Sequence, residues 1–129
     1  VVAAMRAHAG KDVLQEAACR ALINLTFNDA DNTTRAGTAG AVEAVVAAMR
    51  AHAGSAGLQE AACRALTNLT LKDAENRTRA GTAGAVEAVA AAMRTHAGSA
   101  GVQEAACSAL RNLTNTYAEN KTRAGTAGA

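Results

Sequence analysis

Hydrophobic positions recur at helical spacing along this chain and almost never alternate. Val42, Val45, Val46 and Met49 stand at i, i+3, i+4 and i+7, one face of an amphipathic helix. That spacing predicts a helix over about 41–53. His52 falls in its last turn, where a cation or donor suits the carbonyl end. Gly54 is placed to supply a left-handed C-terminal cap, and Ser55, Ala56 and Gly57 read as a connection. Leu58, Ala62, Ala65, Leu66 and Leu69, again three and four apart, predict a second helix over about 58–71. Lys72 and Asp73 then lead into a turn. Residues 76–82 predict only a short, weak helix, because Gly81 costs about 1 kcal/mol against alanine in a helix interior.

This pattern is written three times. VVAAMRAHAG opens the chain at Val1 and returns at Val45, and VAAAMRTHAG begins at Val89. Met5, Met49 and Met93 are 44 residues apart, as are Cys19, Cys63 and Cys107. Residues 1–41 and 45–85 match at 33 of 41 positions without a gap, and 45–85 and 89–129 at 32 of 41. A 44-residue period excludes the 33- and 34-residue ankyrin and tetratricopeptide arrays and fits the 40–47 range of armadillo and HEAT repeats. Propeller blades share that range but need four strands each, and no strand-like alternation is present. No single unit can bury its own apolar face, so stacking must build one continuous core. The chain starts inside one long helix and ends just before the next would begin. The expectation is therefore a window on a longer array.

Composition refines the picture. Of 129 residues 37 are alanine, only 20 are Leu, Val, Ile or Phe, and Trp and Pro are absent. Low Leu, Ile, Val and Phe content would suggest disorder at high net charge. The net charge here is +2, and alanine is the best helix former, so the reading is a helical protein with thin, closely approached layers. Interspersed signs give no nucleic-acid footprint, and no apolar run reaches the roughly 18 residues of a membrane span. No basic, apolar-centred leader is visible, and three cysteines make no disulfide scaffold. Together these predict a cytoplasmic or nuclear chain in a reducing compartment.

Three motifs carry a resemblance to a known family. Ala39-Gly40-Ala41-Val42 opens one helix, Ala65-Leu66-Thr67-Asn68-Leu69 forms the core of the next, and Glu75-Asn76-Arg77 begins the following one. They recur as Ala21-Leu22-Ile23-Asn24-Leu25 and Ala109-Leu110-Arg111-Asn112-Leu113, and as Asp31-Asn32-Thr33 and Glu119-Asn120-Lys121. In this the chain resembles the armadillo repeat family over its whole length. It departs where the family often has Pro, here Glu43 and Glu87, and by two extra residues between the second and third helices. The resemblance implies an all-α, right-handed α-solenoid. Its boundaries would be 1–39 (a repeat without its first helix), 40–83, and 84–129 (a third repeat and the start of another).

The resemblance also implies that the third helices line a concave face and that Asn24, Asn68 and Asn112 form a ladder gripping an extended peptide backbone. A carboxamide carries both donor and acceptor and can satisfy a peptide C=O and N–H together. The other reading of these residues is that they cap backbone groups between helices. One turn earlier, where importin-like members carry Trp, this chain has Arg20, Arg64 and Ser108, and Glu16, Glu60 and Glu104 lie a further turn back. Loss of Trp argues against binding nuclear-localisation signals. Arg at that place favours acidic or phosphorylated segments, while the plain reading is an intrahelical Glu–Arg pair worth a few tenths of a kcal/mol.

Other motifs weigh toward structure. The cysteines sit among alanines and read as free and buried, since equivalent positions one layer apart exceed the roughly 7 Å limit for a disulfide. His8, His52 and His96 lack the carboxylate or thiol partners of a metal site, so no metal or cofactor is expected. The six Asn-x-Thr sequons read as accidents of the repeat. Nothing assembles a nucleophile, base and oxyanion set. The residues that break the repeat, among them Lys11, Asp12, Val13, Phe27, Asn28, Asn115, Thr116 and Tyr117, sit at loops and helix ends, which suits partner choice better than catalysis. The expected function is a protein–protein interaction scaffold binding an extended segment, not an enzyme. The alternative is a structural spacer that packs through its ends or convex face.

Overall fold

The computed structural model of the protein describes residues 1–115. The motif at Glu119-Asn120-Lys121, the variant residues Thr116 and Tyr117 and the end of the 84–129 segment lie outside the described residues. Within them the chain is an α-solenoid of eight helices, with no strand. They are α1 (Val2–Ala7), α2 (Asp12–Thr26), α3 (Ala30–Thr38), α4 (Ala41–Ala51), α5 (Ala56–Thr70), α6 (Ala74–Ala83), α7 (Ala85–Thr95) and α8 (Ala100–Asn115). The long helices α2, α5 and α8 stack side by side and make the most extensive contacts. The helices α1, α4 and α7 form a second row, and α3 and α6 pack in a third.

The core runs continuously through the rows. Leu58, Leu66 and Leu69 of α5 meet Val42, Val45, Val46 and Met49 of α4, all of them buried. Alanine supplies the rest of the contact: Ala61, Ala62 and Ala65 on α5 and Ala105, Ala106 and Ala109 on α8 are buried. Without long side chains between them, the backbones approach closely, and dispersion contacts accumulate over many small groups. Met5 and Met49 are core residues, whereas Met93 is only half-buried against the core.

The helix ends show how the array is held. The last four carbonyls of a helix lack intrahelical donors, and here long polar side chains supply them. Gln59, 1% exposed, donates from Nε2 to the Met49 carbonyl at 3.1 Å and to the His52 carbonyl at 3.0 Å. Gln15 does the same for Met5 and His8, and Gln103 for Met93 and His96. This corrects two expectations. Gly54 is not a left-handed cap: the glycines at positive φ are Gly40 and Gly84, and the end of α4 is closed by Gln59 instead. His52 does not serve its own helix either. Its Nε2 lies 2.8 Å from the Ala9 carbonyl of the preceding loop, and His96 Nε2 lies 2.8 Å from the Ala53 carbonyl. A carbonyl only accepts, so each ring donates across layers.

The segment expected to be a weak helix over 76–82 is a ten-residue helix, α6. Its N-cap, Asp73, accepts from the Asn76 N–H, and Gly84 (φ 85°) closes its far end with N–H bonds to the Ala80 and Gly81 carbonyls. The glycines that weaken such helices in isolation permit close approach here. A Cβ at Gly37 of α3 would collide with the carboxamide of Asn76, which is fully buried. Residues Ala56 and Gly57, read as connection, are the first turn of α5, capped by Ser55.

Replacing Gln59 by methionine keeps its length but removes the donor for the Met49 carbonyl. We expect Gln59→Met to cost about 1–3 kcal/mol, the penalty for an unsatisfied buried polar group. Urea unfolding followed by circular dichroism measures it, and an unchanged midpoint would contradict this role.

Candidate functional site

The exposed face of the α2, α5 and α8 row collects all nine residues singled out from the sequence, in three stripes of Glu, Arg or Ser, and Asn. The Asn side chains are turned toward the neighbouring layer. Asn68 Nδ2 donates to the Ile23 carbonyl at 3.1 Å, and Asn112 Nδ2 to the Thr67 carbonyl at 2.9 Å. Both acceptors lie in the last turn of the preceding long helix. Asn68 and Asn112 are half-buried, while Asn24 is exposed. At Asn68 and Asn112 the amide end of the carboxamide therefore joins each layer to the one before it.

Other carbonyls of the same helix ends are taken by the next helix. Asn32 donates to Leu25 and the Thr33 hydroxyl to Thr26. Asn76 donates to both Leu69 and Thr33, and Arg77 to Thr70. Asn76 also accepts from Arg79 at 2.8 Å. These residues, like the three glutamines, were not singled out as functional from sequence. For the amides among them, Asn32, Asn76 and the glutamines, the signal was a carboxamide recurring every 44 positions inside or beside an apolar face.

The charged members of the first two layers are paired. Arg20 Nη2 lies 2.9 Å from Glu16, and Arg64 Nη2 lies 2.8 Å from Glu60. Each glutamate also rests on the first turn of the next long helix, where the positive end of the helix dipole favours a carboxylate. A Cβ at Gly57 would stand 2.8 Å from Glu16 Oε1, and one at Gly101 would collide with Glu60. The glutamates are thereby tucked down and the arginines stand up: the Arg20 and Arg64 side chains are 65% and 58% exposed. In the third layer Ser108 is half-buried and Glu104 exposed. Such exposed pairs add little stability. Their effect is to present guanidinium groups outward.

An open groove adjoins these stripes. The turns after α2 and α5 have the same form, with Asn28 (φ 51°) and Lys72 (φ 60°) in left-handed conformation. They leave Phe27 66% and Leu71 53% exposed. Between them lies a cavity of about 360 Å³ lined by Phe27, Asn28, Thr34, Asn68, Leu71 and Lys72. A second, of about 500 Å³, lies at the first layer between Val1, Val2, Leu22, Leu25 and Arg35.

Cys19 and Cys63 are buried as expected, but Cys107 is exposed. The first two are covered where α5 packs on α2 and α8 on α5, and among the described residues no further long helix covers α8. Burial pushes the Cys19 and Cys63 thiols up to about 12 from 9.0. Glu16 adds to the rise at Cys19, and the Cys19 thiol and Glu60 add to it at Cys63. Among the described residues no cluster of His, Cys, Asp and Glu could hold a metal ion, and no helix is long and apolar enough to cross a membrane.

Comparison with known proteins gives one family. The model described as LRRK2 ARM repeat matches residues 1–117. No curated protein and no solved structure matches the chain.

The thiols make two checkable statements. At pH 8 a maleimide should label Cys107 in the native protein and reach Cys19 and Cys63 only on unfolding; equal rates at all three would contradict the packing. A thiol whose pKa is raised by folding keeps its proton when the unfolded chain has lost it. Stability should then fall as pH rises above about 9, where the unfolded thiols ionise, with a slope that flattens in the Cys19→Ala/Cys63→Ala variant.

Proposed function

The chain belongs to the LRRK2 ARM repeat family, and we propose from that premise that it is a protein-interaction scaffold which holds an extended segment along the outer face of α2, α5 and α8. The observation that carries this reading is the outward stand of Arg20 and Arg64 beside the Asn stripe. Guanidinium groups pair bidentately with carboxylate or phosphate, so the segment is acidic or phosphorylated. The Asn68 and Asn112 amides join layers, and their carboxamide oxygens are left to accept N–H groups of a bound backbone. Asn24 offers both ends of its carboxamide. Glu16, Glu60 and Glu104 set the height of the arginines or, at the third layer with Ser108, border the stripe. On this reading the layers run 1–39, 40–83 and 84–129, the chain is not an enzyme, and it works in the cytoplasm or nucleus, where its thiols stay reduced.

The second reading is a structural spacer that packs on a larger assembly through its ends or convex face.

An array of random dodecapeptides probed with labelled protein separates the two. We expect acidic sequences to be enriched, and the Arg20→Glu/Arg64→Glu variant to lose at least tenfold in affinity with its unfolding midpoint within about 0.5 kcal/mol of wild type, as for exposed sites. Binding that is unchanged in that variant would contradict the groove reading.

A further inference from the structure

Among the described residues the middle layer is packed on both sides and the outer two on one side each. Leu58, Ala62, Ala65, Leu66 and Leu69 of α5 are fully buried between α2 and α8. Their first-layer counterparts, 44 residues earlier, are Leu14, Ala18, Ala21, Leu22 and Leu25. Of these only Leu22 is buried, and Leu25 is 48% exposed. The cavity of about 500 Å³ lies on this face. Its second-layer counterpart, around Leu66, Leu69, Asn76 and Arg79, is filled by α3, whose Gly37 meets Asn76 and Arg79. On α8 the open side is the other one: Cys107 is exposed where Cys19 and Cys63 are buried. Polar groups on the two open faces correspond as well. Asn68 and Asn112 donate to Ile23 and Thr67 across layers, which sets exposed Asn24 opposite the Arg111 carbonyl. His52 and His96 reach Ala9 and Ala53, which sets exposed His8 opposite the Ala97 carbonyl.

The departures from the repeat on these faces fit each other. Glu16 and Glu60 are held by Arg20 and Arg64 against Gly57 and Gly101. At the glycine position the first layer has Val13, 78% exposed, with Lys11 two residues before it. A side chain there would collide with a carboxylate held as Glu60 is. The third layer supplies Glu104, exposed, with Ser108 in place of the arginine that would hold it down. This carboxylate can turn from a valine toward a lysine.

We propose that copies of this chain stack on one another, the α7–α8 face of one copy seated on the α1–α2 face of the next, so that the joint reproduces the interface between layers within the chain. The open α1–α2 face takes a second copy, and not an unrelated repeat, because Val13 and Ser108 are complementary departures within one sequence. Residues 118–127, outside the described residues, have the sequence AENKTRAGTA, one substitution from that of α6, and follow α8 in sequence as α3 follows α2. They are the stretch of a second copy that reaches the cavity. Two different faces meet at this joint, so it leaves one free face of each kind and growth is open-ended. The proposal does not depend on what the exposed face of α2, α5 and α8 binds; stacking lengthens that face.

Sedimentation velocity of the whole chain, from about 1 μM to about 500 μM, tests this. The weight-average mass should climb with concentration and pass that of a dimer. Cys107 is open to maleimide in the dilute chain, and its labelling should slow as stacks form. Leu25→Lys spoils one face and Cys107→Arg the other, both at exposed positions. Each variant alone should stay monomeric. Their equimolar mixture should form dimers and stop there, because one good face of each kind remains. Ser108→Arg, which holds Glu104 against Val13, should weaken stacking about tenfold by overpacking the joint, and Val13→Gly in the same chain should restore it. A wild-type chain that stays monomeric, or one that stops at the dimer as a two-fold contact would, overturns the proposal. So does a mixture of the two face variants that fails to pair. Association of Ser108→Arg equal to that of wild type would remove the case for a second copy and overturn it too.

Discussion

Every helix in this solenoid ends with carbonyls that need donors, and the layers are joined by the side chains that reach them. Alanine-rich helices give many close contacts but few bulky groups to fix one layer's position on the next. The asparagines do that fixing. Asn68, Asn76 and Asn112 each donate to a carbonyl of the preceding layer, while Gln59 and Gln103 close the α4 and α7 ends within a layer. His52 and His96 repeat the device at the opposite edge. A buried carbonyl left without a donor is costly, so each bond also selects the register at which the layers stack.

That constraint shapes the exposed face. Because the glutamates of one layer lie on the first turn of the next, the arginines beside them project away from the protein. The turns that end α2 and α5 use left-handed residues to send the chain back into α3 and α6, and this leaves Phe27 and Leu71 outside. The exposed features of this face are thus by-products of how helix ends are closed.

Much of the fold was legible in the sequence. The spacing of Val42, Val45, Val46 and Met49 located α4, and Leu58 to Leu69 located α5 within two residues at either end. The helical row carrying Asn68 and Arg64 was legible too. Local rules failed where tertiary contacts override them. The glycine penalty made residues 76–82 look weak, but Asp73 and Gly84 cap that segment and Gly37 lets it approach α3. Gly54 looked like a cap because the sequence does not reveal that Gln59, five residues on, folds back over the same carbonyls. Cys107 looked like its counterparts because burial depends on the neighbouring layer, not on the repeat itself. The groove between Phe27 and Leu71 could not be read at all, since it exists only between layers.

The most direct test of this account is side-chain amide exchange measured by NMR. The Nδ2 and Nε2 protons of Asn68, Asn76, Asn112 and Gln59 should exchange far more slowly than those of exposed Asn24, with Asn76 and Gln59 slowest because they are fully buried and each donates to two carbonyls. Exchange of Asn68 and Asn76 as fast as that of Asn24 would contradict the claim that carboxamides hold the layers in register.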